Sequence, residues 1–358
     1  MKKKALATRM AAFAMAGAMT MAMGFPALAV ETDSLNVPFK KTIKYVNGSS
    51  DKVKAPVTEF SFSVDPSDPI TLINGKESIY VYQGLANGVS LERETLSMDA
   101  GNTTGFVEGK VIVHKNIFEG KPGVYHYLVS EIPAVSAYDG MEYTKLKYDF
   151  YVIVDVNNAV STIMTKREGD EAQTEFDDLH TGKAGQIEFV NNYTTNNLTV
   201  RKKVTGNQGD KSKEFTFNIN VNGADNEQYT YEIYTVNDDG DIQGEAKSSG
   251  VLTSSRETKT QITLTDNQEV VIYGLSSKDS YTVSEVSYAG EGYTTKVDNT
   301  EGSESSGTID ADKLVIFENN KNITTPTGIV TEYAPYILLV AAAGTFAVLF
   351  LRKRKEEF

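Results

Sequence analysis

The chain has no cysteine in its 358 residues, so neither a disulfide nor a thiolate metal site can staple it. Histidine is nearly absent as well. His114, His126 and His180 fall in unrelated segments without paired ligands, which argues against a zinc site or a Ser-His-Asp triad. Positive charge is outnumbered between the ends. Formal net charge is −13, and with the basic leader (+4) and the tail from Gly328 (+1) set apart, residues 30–327 carry −18. That balance disfavours nucleic acid and anionic lipid as partners and suits a self-repelling extracellular body. No sustained 3.6-residue periodicity runs between the termini, which leaves little room for helices there.

The two ends are of another kind. Lys2-Lys3-Lys4 lead into an Ala/Met-rich run closing on Ala27-Leu28-Ala29, the pattern of a secretory signal peptide over residues 1–29. An exported chain could use disulfides; one without cysteine either needs no covalent staple or makes another kind. Residues 334–351 are mostly apolar and are followed by Arg352-Lys353-Arg354-Lys355, which predicts a transmembrane helix with its basic end in the cytoplasm.

What fills the middle is a repeat. Tyr127-Leu128-Val129-Ser130-Glu131 returns as Tyr281-Thr282-Val283-Ser284-Glu285. Upstream of each lies a lysine-bearing strand, around Lys40-Lys41 and around Lys202-Lys203, then Glu-Phe-Ser/Thr-Phe ending at Phe62 and at Phe217. Downstream each copy closes with Phe-x-Asn-Asn, from Phe189 and from Phe317. Strands are expected near 35–45, 59–64, 79–82, 110–114, 123–131, 147–156, 161–166 and 186–191, and again from 198 and near 214–221, 228–235, 258–264, 269–273, 280–287 and 312–317. Many short strands with turn residues between them predict an all-β chain: two tandem immunoglobulin-like β-sandwich domains, 30–194 and 195–322, joined by a short linker at 193–197.

Strand alternation selects faces. Leu198, Val200, Lys202 and Val204 share one face, and Leu35, Val37, Phe39, Lys41, Ile43 and Tyr45 another, so Lys202, and Lys41 rather than Lys40, should point into the cores. Glu131 shares a face with Tyr125, Tyr127 and Val129, and Glu285 with Tyr281 and Val283. A buried lysine and a buried glutamate are costly unless paired or neutral. A desolvated neutral amine is a nucleophile, and a glutamic acid held protonated by an apolar core can donate to an asparagine carbonyl oxygen. The amine then attacks the carboxamide, ammonia leaves, and a Lys–Asn isopeptide bond remains. The spacing suits closure of each sandwich between its first and last strands, Lys41 to Asn191 and Lys202 to Asn319. For one set alone, surface lysines, strand-ending glutamates and turn asparagines are an equal alternative; the recurrence of the same face-selected triad tells against it.

With these residues in view, the segments Lys202-Lys203-Val204-Thr205-Gly206-Asn207, Glu214-Phe215-Thr216-Phe217, 281–285, 317–319 and Pro326-Thr327-Gly328-Ile329-Val330 resemble the streptococcal FctA-type major pilins. The resemblance implies two immunoglobulin-like domains, each with an autocatalytic isopeptide bond: Lys41 to Asn191 with Glu131 as catalyst, and Lys202 to Asn319 with Glu285. It also implies a shaft subunit polymerised by a dedicated pilin sortase and attached to peptidoglycan by a housekeeping sortase, hence a cell-surface pilus exposed to the host. Thr325-Pro326-Thr327-Gly328 stands as the sortase motif, with cleavage between Thr327 and Gly328, at the head of a sorting signal covering 323–358. Thr325 replaces the valine common in that family, which leaves open which sortase acts. The family's inter-subunit lysine maps to Lys183 in Gly182-Lys183-Ala184-Gly185; no Tyr-Pro-Lys motif is present, and an ordinary solvated lysine is as good a reading. A wall-anchored monomeric adhesin or minor pilin with the same domains is the alternative. An extracellular hydrolase is disfavoured because no nucleophile and base stand out. No cofactor or metal is expected, since Asn237-Asp238-Asp239-Gly240-Asp241 lacks the register of a calcium loop and reads as a hairpin turn.

Overall fold

Alternation of apolar and polar residues decides which side chains enter the core. In Asn196–Thr205 the buried residues are Leu198, Val200, Lys202 and Val204; in Ser34–Tyr45 they are Val37, Phe39, Lys41 and Ile43. Each set lies on one face of its strand, because successive side chains point to opposite sides of a pleated backbone. A computed structural model of the chain describes residues 33–47, 51–74, 77–134, 137–167, 187–322 and 327–355. The signal sequence expected at 1–29 and Lys183 lie outside the described residues.

Strands dominate, arranged as two pairs of sheets. In the first pair a five-stranded sheet runs in the order Val89–Leu91, Phe106–His114, Ser34–Tyr45, Ile187–Tyr193 and Met141–Glu142. Opposite it a second sheet runs Val160–Arg167, Lys147–Val154, Gly123–Ile132, Thr58–Pro66 and Thr95–Met98, with the hairpin Ile70–Asn74/Glu77–Gln83 attached to Gly123–Ile132. Phe39 of one sheet meets Phe62 of the other edge to face at 5.0 Å, in a core shared with Phe60, Tyr127, Phe150 and Phe189. The hairpin covers the outer face of the second sheet, burying Leu72 and Val81 against Val124, Tyr151 and Ile153. With both faces covered, residues 149–154 are buried without a break.

The second pair repeats the plan. A seven-stranded sheet runs Ser248–Thr253, Gln228–Thr235, Gln268–Leu275, Asn196–Thr205, Lys313–Asn320, Thr294–Val297 and Thr300–Glu301. It faces a four-stranded sheet, Thr260–Leu264, Phe215–Asn222, Ser280–Glu285 and Glu304–Thr308. Leu198, Val200, Phe217, Val283 and Phe317 form its core. In both pairs the first and last strands are parallel neighbours. The segment 237–241 is a turn: Gly240 has φ +95, and the Asn237 side-chain oxygen accepts from the Asp241 N–H at 2.8 Å. Thr327–Lys355 forms a helix that exposes Ile337, Leu338, Leu339, Val340 and Phe346. Among the described residues no helix is long and apolar enough to cross a membrane; the span expected at 334–351 ends on Phe350 and Leu351, whose side chains lie outside them.

Two clamps join the sheet pairs beside the short connection at 194–195. On one side Lys52 reaches both carboxylate oxygens of Glu232 at 2.5 and 2.6 Å, and Val53 packs on Gly274, where an added Cβ would come within 3.0 Å of it. On the other, Tyr138 bonds Glu227, and Lys278 meets Asp139 at 2.5 Å. Glu227 and Asp279 are both buried, and the Tyr229 hydroxyl lies 2.6 Å from one and 2.9 Å from the other. A hydroxyl donates only one proton, so a carboxyl must supply the second bond. Burial, then the nearby Glu227, raise the pKa of Asp279 to about 6, so below that pH its carboxyl can supply that bond. Because the folded value lies above the ordinary 3.8, this contribution is complete below about pH 4 and is lost as pH rises through 6. Asp279→Asn, which keeps the shape without the charge, should raise thermal stability at pH 7.5 by about 2 kcal/mol and flatten its dependence between pH 4 and 7. Thermal unfolding followed across that range checks this; an unchanged slope contradicts it.

Candidate functional site

Parallel pairing of first and last strands brings one lysine and one asparagine to each core. Lys41 sits opposite Phe189 and Ile43 opposite Asn191; Lys202 sits opposite Phe317 and Val204 opposite Asn319. The register is identical in the two copies, and odd-even alternation keeps both polar groups on the core side. The glutamates come from the facing sheets. Glu131, near the end of Gly123–Ile132, pairs with Phe62, and Glu285, ending Ser280–Glu285, pairs with Phe217. The Tyr-x-Val-Ser-Glu and Phe-x-Phe repeats of the sequence are therefore neighbouring strands whose register delivers the carboxylate.

The three side chains meet in both copies. Lys41 Nζ is 2.8 Å from Glu131 Oε2, and the Asn191 amide donates to Glu131 Oε1 at 2.8 Å. Lys202 Nζ is 3.0 Å from Glu285 Oε1, which also accepts from the Asn319 amide at 3.2 Å. Both lysines and both asparagines are 0% exposed. Aromatic rings close the cage: Lys41 Nζ lies 4.6 Å from the centre of Phe60, and Lys202 Nζ 4.3 Å from that of Phe215. Burial lowers the pKa of each lysine to about 8 against the upward pull of its glutamate. Against an ordinary 10.5 this is roughly 3 kcal/mol per site held against the charged amine. An amine so placed, bridged to a carboxamide by a carboxyl group, is set for nucleophilic attack with a proton carrier in place.

The copies differ around the carboxamide oxygen. Asn191 Oδ1 accepts the backbone N–H of Thr144 at 2.8 Å, whereas Asn319 Oδ1 is buried and takes no hydrogen bond among the described residues. The Thr295 hydroxyl donates to the far oxygen of Glu285 at 3.3 Å. In both copies the glutamate meets the amide nitrogen of the asparagine, not its oxygen as the sequence reading expects. Thr144 and Thr295 carry no mark in the sequence that would single them out; Phe60 and Phe215 are marked by the Glu-Phe-x-Phe repeat.

Other residues of interest lie elsewhere. Thr325 and Pro326 fall outside the described residues, and Thr327 and Gly328 open the C-terminal helix, their side chains also outside them. His126 is buried, with Nε2 2.8 Å from Asp149 Oδ1 and its ring stacked on Tyr151, while Arg167 Nε donates to the same carboxylate at 3.0 Å. That cluster, split across three strands, is not visible as a pattern in the sequence. His114 Nε2 is 2.8 Å from Ser90 Oγ. Among the described residues no group of three or more His, Cys, Asp or Glu side chains could hold a metal ion.

Comparison with known proteins follows the same geography. Residues 196–321 match a domain family described only as a domain of unknown function, DUF7601. A pilin of Streptococcus pyogenes serotype M1 is 27% identical over 319 residues, covering 84% of this chain and 86% of that protein. The S. pyogenes pilus tip adhesin Cpa is 31% identical over 139 residues, 38% of this chain; the matched part is 18% of the adhesin. The crystal structure of the major pilin from S. pyogenes superposes with a TM-score of 0.54 at 22% identity, over 80% of this chain and 99% of that one, and so shares the fold. The chain resembles the streptococcal pilins along most of its length, in sequence and in fold.

Proposed function

We propose that this chain is the shaft subunit of a covalent, cell-wall-anchored pilus, and that each sheet pair is an immunoglobulin-like domain locked by its own Lys–Asn isopeptide bond. The domains are 30–194 and 195–322. The observation that carries this reading is the twice-built buried triad, with lysine and asparagine on parallel first and last strands. Lys41 attacks Asn191 with Glu131 carrying protons, and Lys202 attacks Asn319 with Glu285. Each step forms one C–N bond, breaks another and releases one ammonia. The chain is no enzyme beyond this single turnover. The links close stretches of 150 and 117 residues, each contributing roughly 5 kcal/mol by the chain-entropy argument for cross-links. Their mechanical effect is larger, because tension on the first and last strands then runs through a covalent bond.

Export, assembly and anchoring complete the reading. A signal peptide over 1–29 sends the chain out, and the apolar residues 334–351 with their basic tail hold it in the membrane until a pilin sortase cuts between Thr327 and Gly328. Apolar side chains left exposed between Tyr333 and Leu349 support a helix made for a non-aqueous setting. Lys183 of the next subunit accepts the threonyl group, and a housekeeping sortase passes the finished polymer to peptidoglycan, where it faces the host. A wall-anchored adhesin is the second reading, favoured by the match to the tip adhesin. The pilin match, over most of both chains, weighs more.

The intact mass of purified residues 31–322 should fall short of the sequence mass by two ammonias, and Glu131→Ala or Glu285→Ala should each restore one; a full, unmodified mass contradicts the reading. Each of those variants should also melt about 10–20 °C lower by differential scanning calorimetry, having lost a closure and kept an unpaired buried lysine. Boiled wall extracts should give a ladder of covalent multimers that disappears in Lys183→Ala. The adhesin reading predicts no ladder.

A further inference from the structure

The two sites are built with different donors for the oxygen that becomes an anion during attack. In the first copy the strand Met141–Glu142 pairs with the Asn191 strand for only two residues, Glu142 with Asn192 and Met141 with Tyr193. The chain then leaves the ladder, and the N–H of Thr144 turns onto Asn191 Oδ1 at 2.8 Å. The bend is held by the Leu146 N–H on Thr144 Oγ1 at 3.1 Å and by the Tyr138 N–H on the Tyr143 hydroxyl at 3.2 Å. In the second copy the equivalent strand, Thr294–Val297, stays in the ladder for four residues, with Thr295 opposite Asn319 and Lys296 opposite Glu318. Counting from the shared partners Asn192 and Asn320, Lys296 takes the place of Thr144. Its backbone stays with the sheet, and Asn319 Oδ1 is left buried without a donor among the described residues.

The geometry points to the backbone N–H of Thr144 as the oxyanion donor of the first site, a role the glutamate would otherwise fill. It rests on the cross-linking reading above. The N–H also fixes which way the carboxamide faces, since a half-turn of Asn191 would set its NH2 against the Thr144 N–H and forfeit a hydrogen bond. Asn191 Nδ2 is thereby kept on Glu131 Oε1, while Oε2 stands beside Lys41 Nζ. With the amine neutral and the pair's one proton on Oε1, Nζ bonds to the carboxamide carbon and the C=O pair moves to Oδ1, held by Thr144. Oε1 then gives its proton to Nδ2 as Oε2 takes one from Nζ. The C–N bond to Nδ2 breaks and ammonia leaves, with Glu131 again a carboxylic acid. At the second site no donor among the described residues holds Asn319 Oδ1, and a half-turn exchanges the amide's bond to Glu285 for one from the glutamic acid to Oδ1, so there the glutamic acid itself polarises the carbonyl.

Loss of a single oxyanion donor slows acyl transfer by about 100-fold or more. The full chain, synthesised in vitro with detergent and quenched in denaturant at intervals, can be digested and its two linked peptide pairs followed by mass spectrometry. Thr144→Pro, which deletes the N–H, should slow the Lys41–Asn191 link by about 100-fold and leave the Lys202–Asn319 link at its wild-type rate. Thr144→Val and Thr144→Gly keep the N–H and should link within about threefold of wild type, the glycine showing that a loosened bend alone is not the cause. A wild-type rate in Thr144→Pro overturns the proposal, and so does Thr144→Gly as slow as Thr144→Pro. A wild-type chain that forms neither link overturns instead the cross-linking reading beneath it.

Discussion

A buried lysine set over a phenylalanine ring and bonded to one glutamate is the constraint on which the rest of this structure depends. Desolvating the ammonium costs several kcal/mol, and the carboxylate beside it offsets part of that cost. The strands follow from the need to keep the two together. Lys41 lies on the first strand of its sheet pair and Glu131 on a strand of the facing sheet, so the contact spans the core from sheet to sheet. The asparagine comes from the last strand, laid parallel to the first in a register that sets it one strand over on the same face. Any slip by one residue would turn lysine or asparagine out to solvent. Core packing and site chemistry therefore select the same register.

The construction is repeated with local freedom. Identical registers, matched phenylalanines over the amines and matched glutamate partners recur in the second sheet pair. What differs is the strand next to the asparagine, and a difference of two residues in its pairing changes the surroundings of the carboxamide oxygen. Between the sheet pairs, Lys52 with Glu232 on one side and Tyr138 with Glu227 on the other tie the halves together.

Much of this is legible in the sequence, and for a clear reason. Burial on alternate residues picks Lys41 over Lys40 and Lys202 over Lys203, and a repeat of the same polar residues in the same order implies a shared use for them. The long central strands, rich in Val, Ile, Phe and Tyr, stand out for the same reason. Short edge strands do not: Glu304–Thr308 and Ser248–Thr253 are polar and largely exposed, so no apolar rhythm marks them. Thr144 is invisible because its contribution is a backbone N–H, which every residue but proline possesses. The carboxyl cluster of Glu227 and Asp279, and that of His126, Asp149 and Arg167, join residues far apart in the chain; only the fold brings them together.

The similarity to the streptococcal pilins along most of the chain and the geometry of the six buried residues bear on the same proposal. Both support the proposed reading of a pilin subunit cross-linked within each sheet pair. The most direct measurement is a crystal structure of the exported protein at a resolution that separates bonded from non-bonded atoms. The account predicts continuous density from Lys41 Nζ to the Asn191 side-chain carbon and from Lys202 Nζ to that of Asn319, each at the amide bond length of about 1.3 Å, with the asparagine nitrogens gone. Separate side chains in van der Waals contact, each asparagine still carrying its nitrogen, would contradict it.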